Sequence, residues 1–127
     1  MNNEQQKKKK IVIIDDDKIF LDSICEIFKM YDFEVFEAQT AETGYEALVE
    51  VMPDILLLDI NLPDKNGIDM LKTIRASKNF GDLVVILITG DSTVDVDNAF
   101  DSGADDCVFK PLDIEKFILR VNRLLKK

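Results

Sequence analysis

The chain contains no histidine. That absence removes Ser-His and Cys-His catalysis, imidazole metal sites and any part as a phosphohistidine donor. Chemistry must therefore run on carboxylates, hydroxyls and lysine. Cysteine is scarce: Cys25 and Cys107 are too few for a disulfide framework and lack metal-ligand spacing, which makes a reducing cytoplasm the default compartment. Both thiols read as inert packing rather than redox sensors. No apolar run approaches the ~20 residues that span a bilayer, and MNNEQQKKKK offers no apolar stretch for a secretory signal. Basic residues are outnumbered, 16 Lys and Arg against 25 Asp and Glu, for a net charge of −9. That balance argues against direct nucleic-acid binding, which needs surplus cations to neutralise phosphates. The one basic block, Lys7 to Lys10, reads as a solvated tail. The expected organisation is a basic tail over 1–9 and a single domain over 10–127.

What is present fits a globular domain, with 46% apolar and 32% charged residues over 127 positions. Five short β-branched runs, Lys10–Ile14, Phe33–Phe36, Asp54–Leu58, Leu83–Ile88 and Asp106–Phe109, alternate with amphipathic segments. IVII, ILLLD and LVVILI are continuously apolar, as strands buried on both faces of a parallel sheet are. FEVFEA alternates apolar and acidic residues and reads as an edge strand. Helical spacing follows each run. Phe20, Ile24, Ile27 and Phe28 share one face. Ala47, Leu48 and Val51 mark a second helix that Pro53 stops, and Ile68, Leu71 and Ile74 line a third. A weaker fourth carries Val94, Val96, Ala99 and Phe100, with Ser92 or Thr93 near its cap and Gly103 at its end. Asp113 caps a fifth bearing Ile114, Phe117, Ile118 and Val121. This order predicts an α/β fold with helices on both faces of a parallel sheet.

The polar residues that end the runs are the informative ones. Asp15, Asp16 and Asp17 follow the first, Asp59 ends the third, Thr89 the fourth and Lys110 the fifth. Parallel strands gather these along one sheet edge, where such folds bind ligands. Singly, Asp15 and Asp16 read as helix caps, Asp59 as a turn residue and Lys110 as a surface lysine; jointly they point to a site. Asp17, the spare acid, reads as the cap. Crowded carboxylates repel unless a cation sits among them, and oxygen donors without His or Cys suit Mg²⁺ or Mn²⁺. A carboxylate beside such a metal can attack phosphorus to give an aspartyl phosphate. Lys110 and Thr89 are the right types to meet its equatorial oxygens.

The stretches IVIIDDD at 11–17, PDILLLDINLPDKNG at 53–67, ILITG at 86–90 and GADDCVFKP at 103–111 resemble the CheY-like receiver family, the response-regulator module of two-component signalling. The resemblance implies a flavodoxin/CheY-like (βα)5 fold with five parallel strands in order 2-1-3-4-5. It implies Asp59 as phosphoacceptor, Asp16 as direct metal ligand, Asp15 holding the metal mainly through water, and the Asn61 backbone carbonyl as a further ligand. Lys110 would pair with the carboxylate and later with a phosphoryl oxygen. Thr89 would donate its hydroxyl and move with its loop. Pro63 and Gly67 would shape the turn after the acceptor, the Lys110–Pro111 bond would be cis, and Asp91 would face the site mouth and tune hydrolysis.

The implied partners are a sensor histidine kinase or phosphotransfer protein, plus a downstream protein bound through α4–β5–α5. The domain would not be a turnover enzyme but a switch catalysing its own phosphorylation and dephosphorylation, with neither nucleic acid nor membrane as a direct partner. Arg120 and Asp101 resemble dimer contacts, although Val96 stands where a pairing lysine is usual, so a monomer or a weak phosphorylation-dependent dimer is expected. Cys107 departs from the pattern by replacing the Tyr or Phe that swings behind the threonine. That departure motivates an alternative, a phosphorylation-independent docking module. A dehalogenase-type phosphatase would need a second acid where Asn61 stands.

Overall fold

Ile11–Ile14, Ile55–Leu58 and Val85–Ile88 are buried throughout, so their backbone groups must be satisfied by lateral pairing. In the computed structural model, which describes residues 7–126, they form the interior of a parallel sheet. The element order is β1 (Lys10–Ile14), α1 (Lys18–Met30), β2 (Glu34–Ala38), α2 (Ala41–Val51), β3 (Ile55–Asp59), α3 (Gly67–Ala76), β4 (Val84–Thr89), α4 (Val96–Asp101), β5 (Asp106–Phe109) and α5 (Ile114–Leu125). The sheet runs β2-β1-β3-β4-β5 with every pairing parallel. β2, with its alternating acids, lies at one edge as its pattern requires. Of the basic tail expected over 1–9, residues 1–6 lie outside the described part, and Lys7 to Lys9 are exposed without regular structure. Among the described residues no helix is long and apolar enough to cross a membrane.

Strand alternation sorts the core into two layers. Ile11, Ile13, Ile55, Leu57, Ile86 and Ile88 face α1 and α5, meeting Leu21, Ile24, Phe28, Phe117 and Val121. Val12, Ile14, Leu56, Leu58, Val85 and Leu87 face α2, α3 and α4. Phe28 joins α1 to its neighbours edge-on, with ring centroids 5.0 Å from Phe33 and 6.0 Å from Phe117.

Each helix starts on a side-chain oxygen that accepts a first-turn N–H, from Asp17, Thr40, Asn66, Asp95 and Asp113 in turn. Asp17 and Asp113 are caps as expected. The cap of α4 is a correction: it is Asp95, not Ser92 or Thr93. Asp91 draws that segment into its own turn, accepting the Thr93 N–H at 2.9 Å and its hydroxyl at 2.6 Å. The helix is therefore short, with Ala99 buried but Phe100 44% exposed. α2 closes at Val51, with Met52 in the left-handed region (φ 49°) ahead of Pro53.

One arginine braces the far side of the sheet. Arg75, on α3, donates to the Gly103, Phe80 and Leu83 carbonyls at 2.9, 3.2 and 2.8 Å and to Asp105 Oδ2 at 3.0 Å. The same Asp105 oxygen accepts the Val85 N–H at 2.8 Å. Gly103, at φ 111°, sits against the Arg75 stem, where a Cβ would come within 2.7 Å of its Cγ. Removing this side chain strands carbonyls that it now satisfies, so Arg75→Ala should lower unfolding free energy by about 1–3 kcal/mol in urea titration. A loss below about 0.5 kcal/mol, the scale of an ordinary surface change, would show the brace to be idle.

Candidate functional site

Register alone assembles the site. Ile14 pairs with Leu58, so Asp15 and Asp59 emerge side by side from β1 and β3. Asp59 pairs with Ile88, which puts Thr89 one step beyond it, and Thr89 pairs with Phe109, directly before Lys110. Asp15, Asp16, Asp59, Thr89 and Lys110 therefore all lie at the carboxyl ends of adjacent strands or just past them. One carboxylate oxygen from each of Asp15, Asp16 and Asp59 lies within 4.8 Å of the others.

Asp15 is fully buried, its Oδ1 accepting the Asp17 N–H at 2.8 Å. Its Oδ2 lies 2.9 Å from Lys110 Nζ, but that approach is not aligned as a hydrogen bond, and the oxygen has no hydrogen-bond donor among the described residues. Lys110 thus pairs with Asp15 rather than with the carboxylate of Asp59. Asp16 is exposed at the mouth. Asp59 is 5% exposed and accepts the Asn61 N–H on Oδ1 at 3.1 Å. Burial pushes its carboxyl up to about 6, with Asp15 and Asp16 adding repulsion and the Asn61 N–H and Lys110 opposing the rise.

Thr89 is fully buried, and its hydroxyl oxygen accepts from Asn61 Nδ2 at 3.3 Å and the Asp91 N–H at 3.0 Å. Both acceptor positions are filled, which leaves the hydroxyl proton to be donated. The Asp91 carboxylate is held by Thr93, whose hydroxyl and N–H keep it below the usual carboxylate range.

The loop after β3 needs its glycine. The Gly67 N–H donates to the Ile60 carbonyl at 2.6 Å. A Cβ there would collide with the Asp59 carbonyl oxygen and come within 2.8 Å of Ile60 Cα. Asp64 of the same loop caps α2 from a distance, accepting the Ala41 and Glu42 N–H groups at 2.8 and 3.0 Å. The Lys110–Pro111 peptide is cis. Cys107 is half-buried on β5, with burial raising its thiol, while Cys25 is pushed up to about 12 chiefly by burial; neither is a ready thiolate. Arg120 pairs within the chain, 3.3 Å from Asp106.

Sequence patterning did not place three partners. Asn61 offers its side chain as well as its backbone, Asp64 reaches α2, and Phe20 stacks its ring 4.2 Å from Lys110 Nζ. The hint for Phe20 was its place in the first turn of α1, three residues after the Asp17 cap.

A hard, all-oxygen donor set containing a buried carboxylate oxygen without a hydrogen-bond donor fits a hard divalent cation. An adjacent ammonium and a hydroxyl proton could meet an anion at the same place.

The chain is similar to known proteins. The family model for the response regulator receiver domain matches residues 11–122. The DNA-binding dual master transcriptional regulator RpaA of Synechocystis is 33% identical over 112 residues, 87% of this chain and 46% of that protein. The transcriptional regulatory protein CiaR of Streptococcus pneumoniae is 36% identical over 108 residues, 85% of this chain and 44% of that protein. The chain thus spans less than half the length of these relatives. The crystal structure of a CheY-like response regulator receiver domain protein from Methanospirillum hungatei superposes with a TM-score of 0.85 at 28% identity, covering 94% of each chain.

The raised Asp59 carboxyl makes a stability prediction whose sign is fixed. Its ordinary value is 3.8 and its folded value about 6. Between them the folded protein keeps a proton that the unfolded chain has released, so stability is lost as pH rises through that window. In metal-free buffer Asp59→Asn should stabilise the fold by about 1–3 kcal/mol near pH 7, the gain fading toward about pH 4. A thermal shift that is the same at both ends contradicts this account.

Proposed function

Because the chain belongs to the response regulator receiver domain family, we propose that it takes a phosphoryl group on Asp59 from the phosphohistidine of a sensor kinase or phosphotransfer protein. The observation that supports this best is the convergence of Asp15, Asp16 and Asp59 within 4.8 Å, with the Lys110 ammonium on Asp15.

At neutral pH a carboxyl near 6 is mostly ionised, so Asp59 is available as a nucleophile. An Asp59 oxygen attacks phosphorus. The new O–P bond forms as the N–P bond breaks, and the departing electron pair stays on the imidazole nitrogen. Lys110 shifts from Asp15 toward a phosphoryl oxygen, and Thr89 donates its hydroxyl proton to another. Asp15, Asp16, Asp59 and the Asn61 backbone carbonyl would hold Mg²⁺, or Mn²⁺, which would supply neutralisation of charge on the transferring oxygens. Hydrolysis reverses the loading: water adds to phosphorus, the P–O bond to Asp59 breaks, and carboxylate and inorganic phosphate result. The domain is thus a self-catalysing switch rather than a turnover enzyme.

Phosphoryl contacts at Thr89 bias the segment between β4 and α4, and with it the α4–β5–α5 face, toward a downstream protein. The DNA binding named for RpaA belongs to that longer protein. For this domain, with its acidic balance, we assign no direct contact with nucleic acid or membrane, a monomer or weak dimer as its state, and the cytoplasm as its compartment.

Incubation with Mg²⁺ and acetyl phosphate or phosphoramidate should add one phosphoryl group by intact mass, lost in Asp59→Asn and with EDTA. No gain from any donor refutes the assignment. Partner affinity that ignores beryllofluoride would instead favour the phosphorylation-independent docking module.

A further inference from the structure

We propose that Phe20 is a positioning residue for phosphoryl transfer, its ring face seating the Lys110 ammonium over the crevice. The inference rests on the assignment of Asp59 as phosphoacceptor and extends it to a residue that the acidic cluster does not include.

Two groups of the segment after β1 address Lys110 at once. Asp15 Oδ2 lies 2.9 Å from Nζ, and the Phe20 ring centroid lies 4.2 Å from it. Both are set by one local chain of bonds. Asp15 Oδ1 accepts the Asp17 N–H at 2.8 Å, and Asp17 Oδ1 accepts the Phe20 N–H at 3.2 Å as the cap of α1. Lys110 arrives from the opposite side, its N–H donating to the Thr89 carbonyl at 2.9 Å at the end of β5. The ammonium is therefore clamped between an anion and an aromatic face that are themselves tied together.

The ring answers a need the carboxylate leaves open. The Lys110 side chain is only 20% exposed, and its contact with Asp15 is not an aligned hydrogen bond. A ring face carries negative electrostatic potential and attracts a desolvated cation without accepting its N–H bonds. That distinction matters for transfer. The three N–H donors stay free to turn from Asp15 to a phosphoryl oxygen while the charge remains held above the ring. A leucine of similar bulk would fill the space beside α5 but leave the flexible lysine stem unguided.

The competing account is that Phe20 merely packs, since it also touches the core between α1 and α5. Fluorination separates the two, because fluorine withdraws charge from the ring face while nearly preserving its shape and apolarity. Full-length protein carrying phenylalanine, monofluoro- or trifluorophenylalanine at position 20 is loaded from acetyl phosphate at saturating Mg²⁺. The maximal loading rate should fall stepwise, reaching about threefold to about tenfold loss in the trifluoro protein, with an unchanged half-saturating donor concentration and unchanged thermal midpoint.

In metal-free protein the Lys110 ε-methylene protons should resonate upfield from the ring current and lose that displacement in Phe20→Leu. Equal rates across the series, in protein that loads normally, overturn the role of Phe20 and leave the Asp59 assignment standing. Absence of the upfield displacement overturns it independently. If the unaltered chain takes no phosphoryl group from any donor, both proposals fall, and an upfield signal records only a packing contact.

Discussion

Three carboxylates share one edge of a sheet whose interior is apolar, and holding two of them out of water beside the third is the constraint around which the molecule is arranged. Water alone relieves only Asp16, since Asp15 and Asp59 are buried. The remaining relief comes from one ammonium and a few backbone donors. Such a site is held in tension by the fold. The strands that deliver the acids are locked by lateral pairing and by two layers of aliphatic packing, so they cannot splay to separate the charges. A cation or a phosphoryl group entering that edge meets groups already in position, and little reorganisation opposes binding.

The elements around the site are anchored unequally. The carboxyl end of α4 is followed at once by Gly103 and Asp105, both tied to Arg75 and through it to α3 and the start of β4. Its amino end follows a segment held by short-range bonds, from Thr93 to Asp91 and from the Asn98 N–H to Asp95. Thr89 touches that segment directly through the Asp91 N–H. A change at the threonine hydroxyl therefore reaches the less anchored end of α4 first, which is where a local opening meets the least opposition. Cys107 lies on the neighbouring strand, bordering a groove of about 300 Å³ that Leu112, Phe117 and Arg120 also line. No ring stands at that position to swing behind Thr89.

Much of the architecture was legible in one dimension. Continuous apolar runs of strand length, each ended by an acid, a hydroxyl or a lysine, announce buried parallel strands and a functional edge together, because period and termination are both properties of neighbouring residues. Asp15, Asp16, Asp59, Thr89 and Lys110 were singled out that way and do gather at one sheet edge, and Asp17 and Asp113 were recognised as caps. The family likeness supplied the strand order, which periodicity cannot, since every permutation of buried strands has the same pattern.

Other features depended on which distant groups meet. Ser92, Thr93 and Asp95 all have capping chemistry within one turn, and only the Asp91 turn decides among them. Lys110 meets Asp15 and Phe20 across 95 and 90 positions of chain, Asn61 reaches Thr89, and Arg75 reaches Gly103. The Asp59 carboxyl is raised mainly by burial, a quantity that no local pattern contains. Composition and spacing thus settled which chemical groups stand at the strand ends, because strand periodicity acts between neighbours. Which of them touch, and how readily Asp59 gives up its proton, was settled by packing, because distance and desolvation exist only once the chain has closed on itself.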